Sequence, residues 1–315
     1  MMQQKIIEKI SRLKLVRLVI FFSKKLVLPG FDGLPLYNVT RFFIKGLSEG
    51  YITSRASAIS FDFFLAIFPS LIFLFTIIPF IPIENFQVTL LSTIHDFMPK
   101  SAYETVKETV EDIVTRPRGD LLSLGFILSL YFSTNGINSL IEAFDNTYHT
   151  LETRSAVKQR LMSTLLVIIL CFLLIIAIGL MTVGPVILSF IIPEKIMESA
   201  VFSFIIWILR WVLIMATLFF GISFVYYLAP AKRRDFRFIS AGSSLATFLV
   251  ILTTMGFNFY VDNFGRYNIL YGSIGTLMIV MLWIYFNAIS LLLGFELNAS
   301  IYYAKREGGL HDKSS

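Results

Sequence analysis

From Leu161 to Ile192 the chain runs without a single Asp, Glu, Lys or Arg. At about 1.5 Å of rise per residue, a helix of that length exceeds the ~30 Å hydrocarbon core of a bilayer. Five further stretches reach the ~20 largely apolar residues that a span requires: 57–82, 121–143, 200–229, 239–261 and 273–303. Composition agrees, because 56% of residues are hydrophobic and only 15% charged, whereas a soluble domain carries roughly a quarter charged residues. Thirty-two phenylalanines are more than most soluble folds keep from water. The reading is an all-α, polytopic helical membrane protein with six transmembrane helices. Spans 161–192, 200–229 and 273–303 exceed the minimum, which implies tilt or helix extending past the bilayer.

Basic residues give the orientation. With both ends of the chain in the cytoplasm, twenty Lys and Arg fall inside. Six fall outside (Lys100, Lys107, Arg116, Arg118, Lys195 and Arg266), and Arg210 lies within a span. The opposite orientation inverts that ratio. Loops beside anionic lipid therefore account for the net charge of +6, and no nucleic acid is needed. No secretory signal is expected, since the first apolar stretch, Leu15 to Phe22, is short and broken by Arg17. The one cysteine, Cys171, excludes an intrachain disulfide and reads as a small hydrophobe.

Outside the spans, residues 1–56 form a cytoplasmic segment in two amphipathic pieces. In residues 5–25 an Ile6, Ile7, Ile10, Leu13, Leu18 stripe alternates with Lys and Arg, as in a helix lying on the inner leaflet. After Gly30, Gly33 and Pro35 comes a shorter piece, Tyr37 to Leu47. The outer segment 83–120 carries a capping-box pattern, Ser101 with Glu104, and an apolar face of Tyr103, Val106, Val110, Ile113 and Val114. It is too short for a core of its own and reads as a lid over the spans. Residues 304–315 form a cytoplasmic tail.

Polar groups inside spans point to function, because the bilayer makes them costly. Arg210 lies roughly 15 Å into the fourth span, between Trp207 and Trp211, where an aromatic face suits a cation. It reads either as half of an ion pair with Asp62 or as a group for an anionic substrate. In the second span Asn135, Asn138, Glu142 and either Asp145 or Asn146 recur every three or four residues and share one helix stripe. That stripe is read as the wall of a polar cavity or as interhelical hydrogen bonding. Asn135, Asn138, Arg210 and Asp62 are the candidate substrate-binding residues. Arg55, Glu142, Asp145, Glu296 and Asn298, closer to the inner interface, are assigned structural roles. Pro69, Pro79, Pro82 and Pro185 mark kinks, and Ser240, Ser244 and Thr247 beside Gly242 and Ala246 favour close helix packing.

Phosphodiester hydrolysis needs clustered carboxylates with metals, or paired histidines. The segment 1–56 offers only Glu8, Asp32 and Glu49, widely spaced, and His95, His149 and His311 are scattered. There is no Gly-rich phosphate loop ending in Lys-Ser/Thr. No catalytic residue, metal ligand or cofactor is therefore expected, and no ATPase of its own.

Three runs carry a family resemblance. RASAISFDFFLAIFPSLIFLFTIIPFIP (Arg55 to Pro82), YYLAPAKRR (Tyr226 to Arg234) and NILYGSIGTLMIVMLWIYFNAISLLLGFELNA (Asn268 to Ala299) resemble the YihY/BrkB family of bacterial membrane proteins, formerly labelled ribonuclease BN-like. INSLIEAFDNTY (Ile137 to Tyr148) fits between them, so the resemblance covers about residues 45–303. Asp62 departs from it, as many members carry an aromatic or uncharged residue there. The resemblance implies six helices in the bacterial inner membrane. Members have been labelled ribonucleases, serum-resistance factors and transporters, and links to lipid movement have been suggested. The function expected is a membrane transporter or lipid translocase whose partners are membrane lipids, an anionic lipid or a lipid-linked substrate. The alternative is a structural or scaffolding membrane protein of the cell envelope.

Overall fold

The structure is a computed structural model and describes residues 21–80, 116–146, 154–191, 199–230, 237–264 and 273–311. The lid expected over 83–120 and most of the amphipathic stretch 5–25 lie outside them. Helix α1, Leu36–Glu49, starts behind Pro35, whose φ of −60° is already helical. It is the amphipathic piece expected at Tyr37 to Leu47. Gly50 ends it, and Tyr51 at φ 47° turns the chain straight into the next helix. Six long helices follow: α2 Ile52–Ile77, closed by a 3-10 turn Ile78–Phe80, α3 Gly119–Asp145, α4 Ala156–Ile191, α5 Ala200–Leu228, α6 Ala241–Phe264 and α7 Ser273–His311. Each contains a stretch long and apolar enough to cross a membrane.

Three boundaries differ from expectation in the same way. Helix α2 begins at Ile52 rather than 57, α4 begins at Ala156 rather than 161, and α7 runs on to His311 rather than ending at 303, into the stretch expected as a tail. Hydropathy locates the part of a helix inside hydrocarbon, but the backbone goes on hydrogen-bonding to itself through the interface. Residues such as Arg55, Gln159 and Arg160 therefore sit on helices instead of loops.

Chain neighbours pack against one another from α2 to α7, and α7 closes back on α2, so the six helices form a ring. Helix α1 lies against α7. The start of α2, the end of α3, the start of α4, the end of α5, the start of α6 and the end of α7 meet at one end of the ring. Cross-links such as Arg55–Glu296, Gln159–Asn138, Arg154–Leu228 and Asn298–Gly242 hold them there. This is the basic end, with Lys24, Lys25, Arg41, Lys45, Lys158, Arg237, Lys305 and Arg306 around it.

Packing is tightest there. The largest fully buried side chains, including Ile59, Leu140, Ile141, Leu166, Leu292 and Phe295, all belong to the half of the bundle nearest the basic end. At its centre Phe144 of α3 stacks on Phe295 of α7 at 3.9 Å, and Tyr226 of α5 meets both edge-on at 5.6 and 5.7 Å. The Tyr226 hydroxyl donates to the Leu291 carbonyl. Three helices from around the ring are thus joined by one aromatic cluster, each ring contact adding about 0.5–1.5 kcal/mol beyond burial. The outside has the reverse character. Leu161, Phe172, Ile175, Val201 and Phe204 are each more than half exposed, an apolar belt that water would not tolerate and lipid does.

Candidate functional site

The α3 stripe meets the first turn of α4. Gln159 Nε2 donates to Asn138 Oδ1 at 3.0 Å and to Glu142 Oε1 at 3.3 Å, while Asn138 Nδ2 donates to Glu142 Oε1 at 2.7 Å. One turn deeper, Arg160 donates to Asn135 Oδ1 and lies over the Tyr131 ring, 5.0 Å from its centroid. The result is a polar seam between α3 and α4. It starts at the basic end, where Glu142 is exposed, and reaches Asn135, roughly 15 Å before the end of α3 by helical rise. Asn135, Asn138, Gln159 and Arg160 are all partly exposed along it. Gln159 and Arg160 do not stand out in the sequence, because hydropathy starts the third span at residue 161, directly after them. The available signal was a Gln-Arg pair directly before an apolar run.

Asp62 does not pair with Arg210. Its carboxylate accepts from Ser139 of α3, and α5, which carries Arg210, packs on α4 and α6. Arg210 nevertheless falls on the stripe of Phe202, Ile206, Leu213 and Thr217, the less exposed face of α5, while being exposed itself. It lies in the half of the bundle away from the basic end, where packing is thin. Trp207 and Trp211 contact each other at 6.2 Å, and among the described residues neither forms a cation–π pair with Arg210.

The polar groups assigned structural roles have definite partners. Arg55 faces Glu296 across α2 and α7 at 3.9 Å, both buried. Asn298 Oδ1 accepts from the Gly242 N–H at 2.8 Å and its Nδ2 donates to Ser240 Oγ at 2.9 Å. It therefore caps the start of α6 from α7. Asn298→Ala leaves that buried N–H without a partner, and a loss of about 1–3 kcal/mol is expected in detergent unfolding; a change below ~0.5 kcal/mol would show that the cap is dispensable. Asp145 is buried, with Arg154 as its attractive charge and Glu142 as a repulsive one. Arg154 donates to the carbonyls of Leu228, Ala229 and Pro230 at 3.0, 2.7 and 2.5 Å. These are orphan acceptors at the end of α5, where a cation also suits the helix dipole. Among the described residues no group of three or more His, Cys, Asp or Glu is placed to hold a metal.

The family profile described as Virulence factor BrkB matches residues 43–315. The chain belongs to the BrkB family. It is 31% identical over 268 residues to the ribonuclease-like protein YfkH of Bacillus subtilis, covering 84% of this chain and 96% of that one. UPF0761 membrane proteins of Aggregatibacter aphrophilus and Haemophilus influenzae are 25% and 24% identical, over 84% and 85% of this chain and 92% and 96% of theirs. No solved structure matches it significantly. The BrkB match spans all six long helices, so both the α3–α4 seam and the α2–α7 ion pair lie within the family region.

Proposed function

We propose that this BrkB protein is a lipid translocase of the bacterial inner membrane, with the basic end in the cytoplasm, no enzymatic activity and no ATPase of its own. The observation that carries the reading is the partly exposed seam of Asn135, Asn138, Gln159 and Arg160. A phospholipid crosses a bilayer only if its headgroup is kept from hydrocarbon while its tails remain in it. A polar seam with apolar flanks meets that demand, and a guanidinium binds a phosphate through two parallel hydrogen bonds. Arg210, exposed in the opposite half, supplies a second cation on the way.

The test is protein-dependent movement of labelled phosphatidylglycerol between the leaflets of liposomes. Arg160→Ala and Arg210→Ala are each expected to slow it about tenfold, the loss of ~1.4 kcal/mol at the barrier, with unfolding temperatures near that of the parent. Parent rates in both variants would remove these residues from the path.

A structural role is favoured by a different fact: every seam side chain already bonds to another across or along the helices. Under that reading the liposomes show no movement, and Arg160→Ala lowers stability instead.

A further inference from the structure

We propose that the cleft at the basic end, between the loop before α1, the start of α6 and the end of α7, is a binding site for a phosphate group. It does not depend on the translocase reading, since it lies on different helices from the seam and would bind whether or not lipid is moved.

The cleft has a volume of about 370 Å³ and is lined by Asp32, Arg237, Ser240, Asn298, Lys305 and Arg306, among others. That is within the range of small-ligand sites. Its construction begins with an unusual loop. Gly30, Asp32 and Gly33 all have positive φ, at 85°, 53° and 81°, and Phe31 between them is buried against Val39, Ile301 and Ala304. For Asp32 this left-handed conformation is tolerated but uncommon. Here it sets a carboxylate between cations from two other segments. Arg237 Nη1 lies 2.9 Å from one Asp32 oxygen and Lys305 Nζ 3.2 Å from the other.

The asymmetry of that arrangement is the argument. Asp32 is 16% exposed, whereas Arg237 and Lys305 remain 68% and 61% exposed. The carboxylate holds both cations and leaves most of each exposed, and both line the cleft. Arg306 adds a third, also exposed. Among the described residues of the cleft, three cations against one carboxylate leave two positive charges for a ligand, already placed and needing little ordering. The cleft wall also includes Ser240, directly before α6 begins, an end of the helix where the dipole favours an anion. The chemistry selected is a phosphate monoester or diester, matched by guanidinium forks and an ammonium. Ile239, 66% exposed on the cleft wall, offers an apolar contact that a free phosphate would not use and a phospholipid's acyl chains would.

The full chain, purified in detergent and stripped of lipid, would be given equal phosphatidylglycerol and phosphatidylcholine, and bound lipid counted by native mass spectrometry. Preferential retention of phosphatidylglycerol is expected. Arg306→Glu and the pair Arg237→Gln with Lys305→Gln should each reduce that preference about tenfold or more. Phosphatidylcholine binding and the unfolding temperature should stay unchanged. A second arm adds millimolar glycerol phosphate. Displacement of the bound lipid would identify a site that reads the phosphate alone, and undisturbed lipid would identify the membrane as its source; both support the site. Wild-type preference in both variants, or no preference for the anionic lipid in the parent, would overturn it. Arg306 projects from the last turns of α7, so Arg306→Glu keeps the test valid even if the double variant folds poorly.

Discussion

Glu296→Ala is expected to cost about 3–5 kcal/mol, the loss characteristic of breaking a buried ion pair from one side. Glu296 is fully buried and Arg55 nearly so, with 3.9 Å between Nη1 and the carboxylate. Beyond the bond from Arg55 Nη1 to the Gly50 carbonyl at 2.9 Å, Nε and Nη2 of Arg55 and both oxygens of Glu296 have no hydrogen-bond partner among the described residues. The two charges therefore depend on each other. Gly46 of α1 lies directly over the carboxylate: a Cβ there would come 2.0 Å from Oε1. The pair thus sits where α1, α2 and α7 converge, and removing the carboxylate strands a guanidinium at that junction. Thermal or denaturant unfolding in detergent measures the loss. The double variant Arg55→Met with Glu296→Leu separates charge from packing. With both charges gone and the volume kept, stability should return to within ~2 kcal/mol of the parent. A single variant within about 1 kcal/mol of the parent would show that the pair is not a stabilising junction.

Gly294→Leu should be almost as damaging, at about 3 kcal/mol or more from overpacking. A Cβ on Gly294 would lie 2.5 Å from the Gly242 carbonyl oxygen, 2.6 Å from Ala246 Cβ and 2.6 Å from the Tyr226 hydroxyl. In the other direction a Cβ on Gly242 would lie 2.1 Å from the Gly294 carbonyl oxygen. Two of these obstacles are backbone, which cannot rotate away, so α6 and α7 must separate to admit a side chain. That separation also pulls on the Tyr226, Phe144 and Phe295 cluster. Gly256→Ala is the control. It lies on α6, the helix that Gly294 meets, with nothing within 4 Å of its Cβ position, so it should be neutral or gain up to ~1 kcal/mol of helix propensity. Equal losses in both variants would mean that the cost does not come from the α6–α7 contact, and the contact argument would fail.

The α6–α7 contact was partly legible beforehand. Gly242 and Ala246 stand one turn apart among small residues, a spacing that marks a close-packing face in membrane helices. Their partner was not legible, since Gly294 carries no mark in the sequence that ties it to α6. The seam shows the same division. Asn135, Asn138 and Glu142 fall on one stripe by helical arithmetic alone, yet Gln159 and Arg160, which complete it, lie outside the stretches that hydropathy marks as spans. Asp62 and Arg210 were matched by opposite charge and nearby depth. In the ring Asp62 faces Ser139, α5 packs on α4 and α6, and the buried ion pair is Arg55 with Glu296.

By itself the sequence determined that there are six apolar helices, their approximate limits, and which residues share a helix face. Each follows from a local quantity, the transfer of one segment into hydrocarbon and the 3.6-residue period within it. Tertiary structure alone decided who partners whom. Closure of α7 onto α2 brings together residues 55 and 296, separated by nearly the whole six-helix region, and the close approach of α6 to α7 sets Gly294 against Gly242 and Ala246. Inside a bilayer every apolar face is equally content against lipid, so hydrophobicity places a helix without choosing its neighbour. The choice rests on small-residue contacts and polar partners, which exist only once the helices have met.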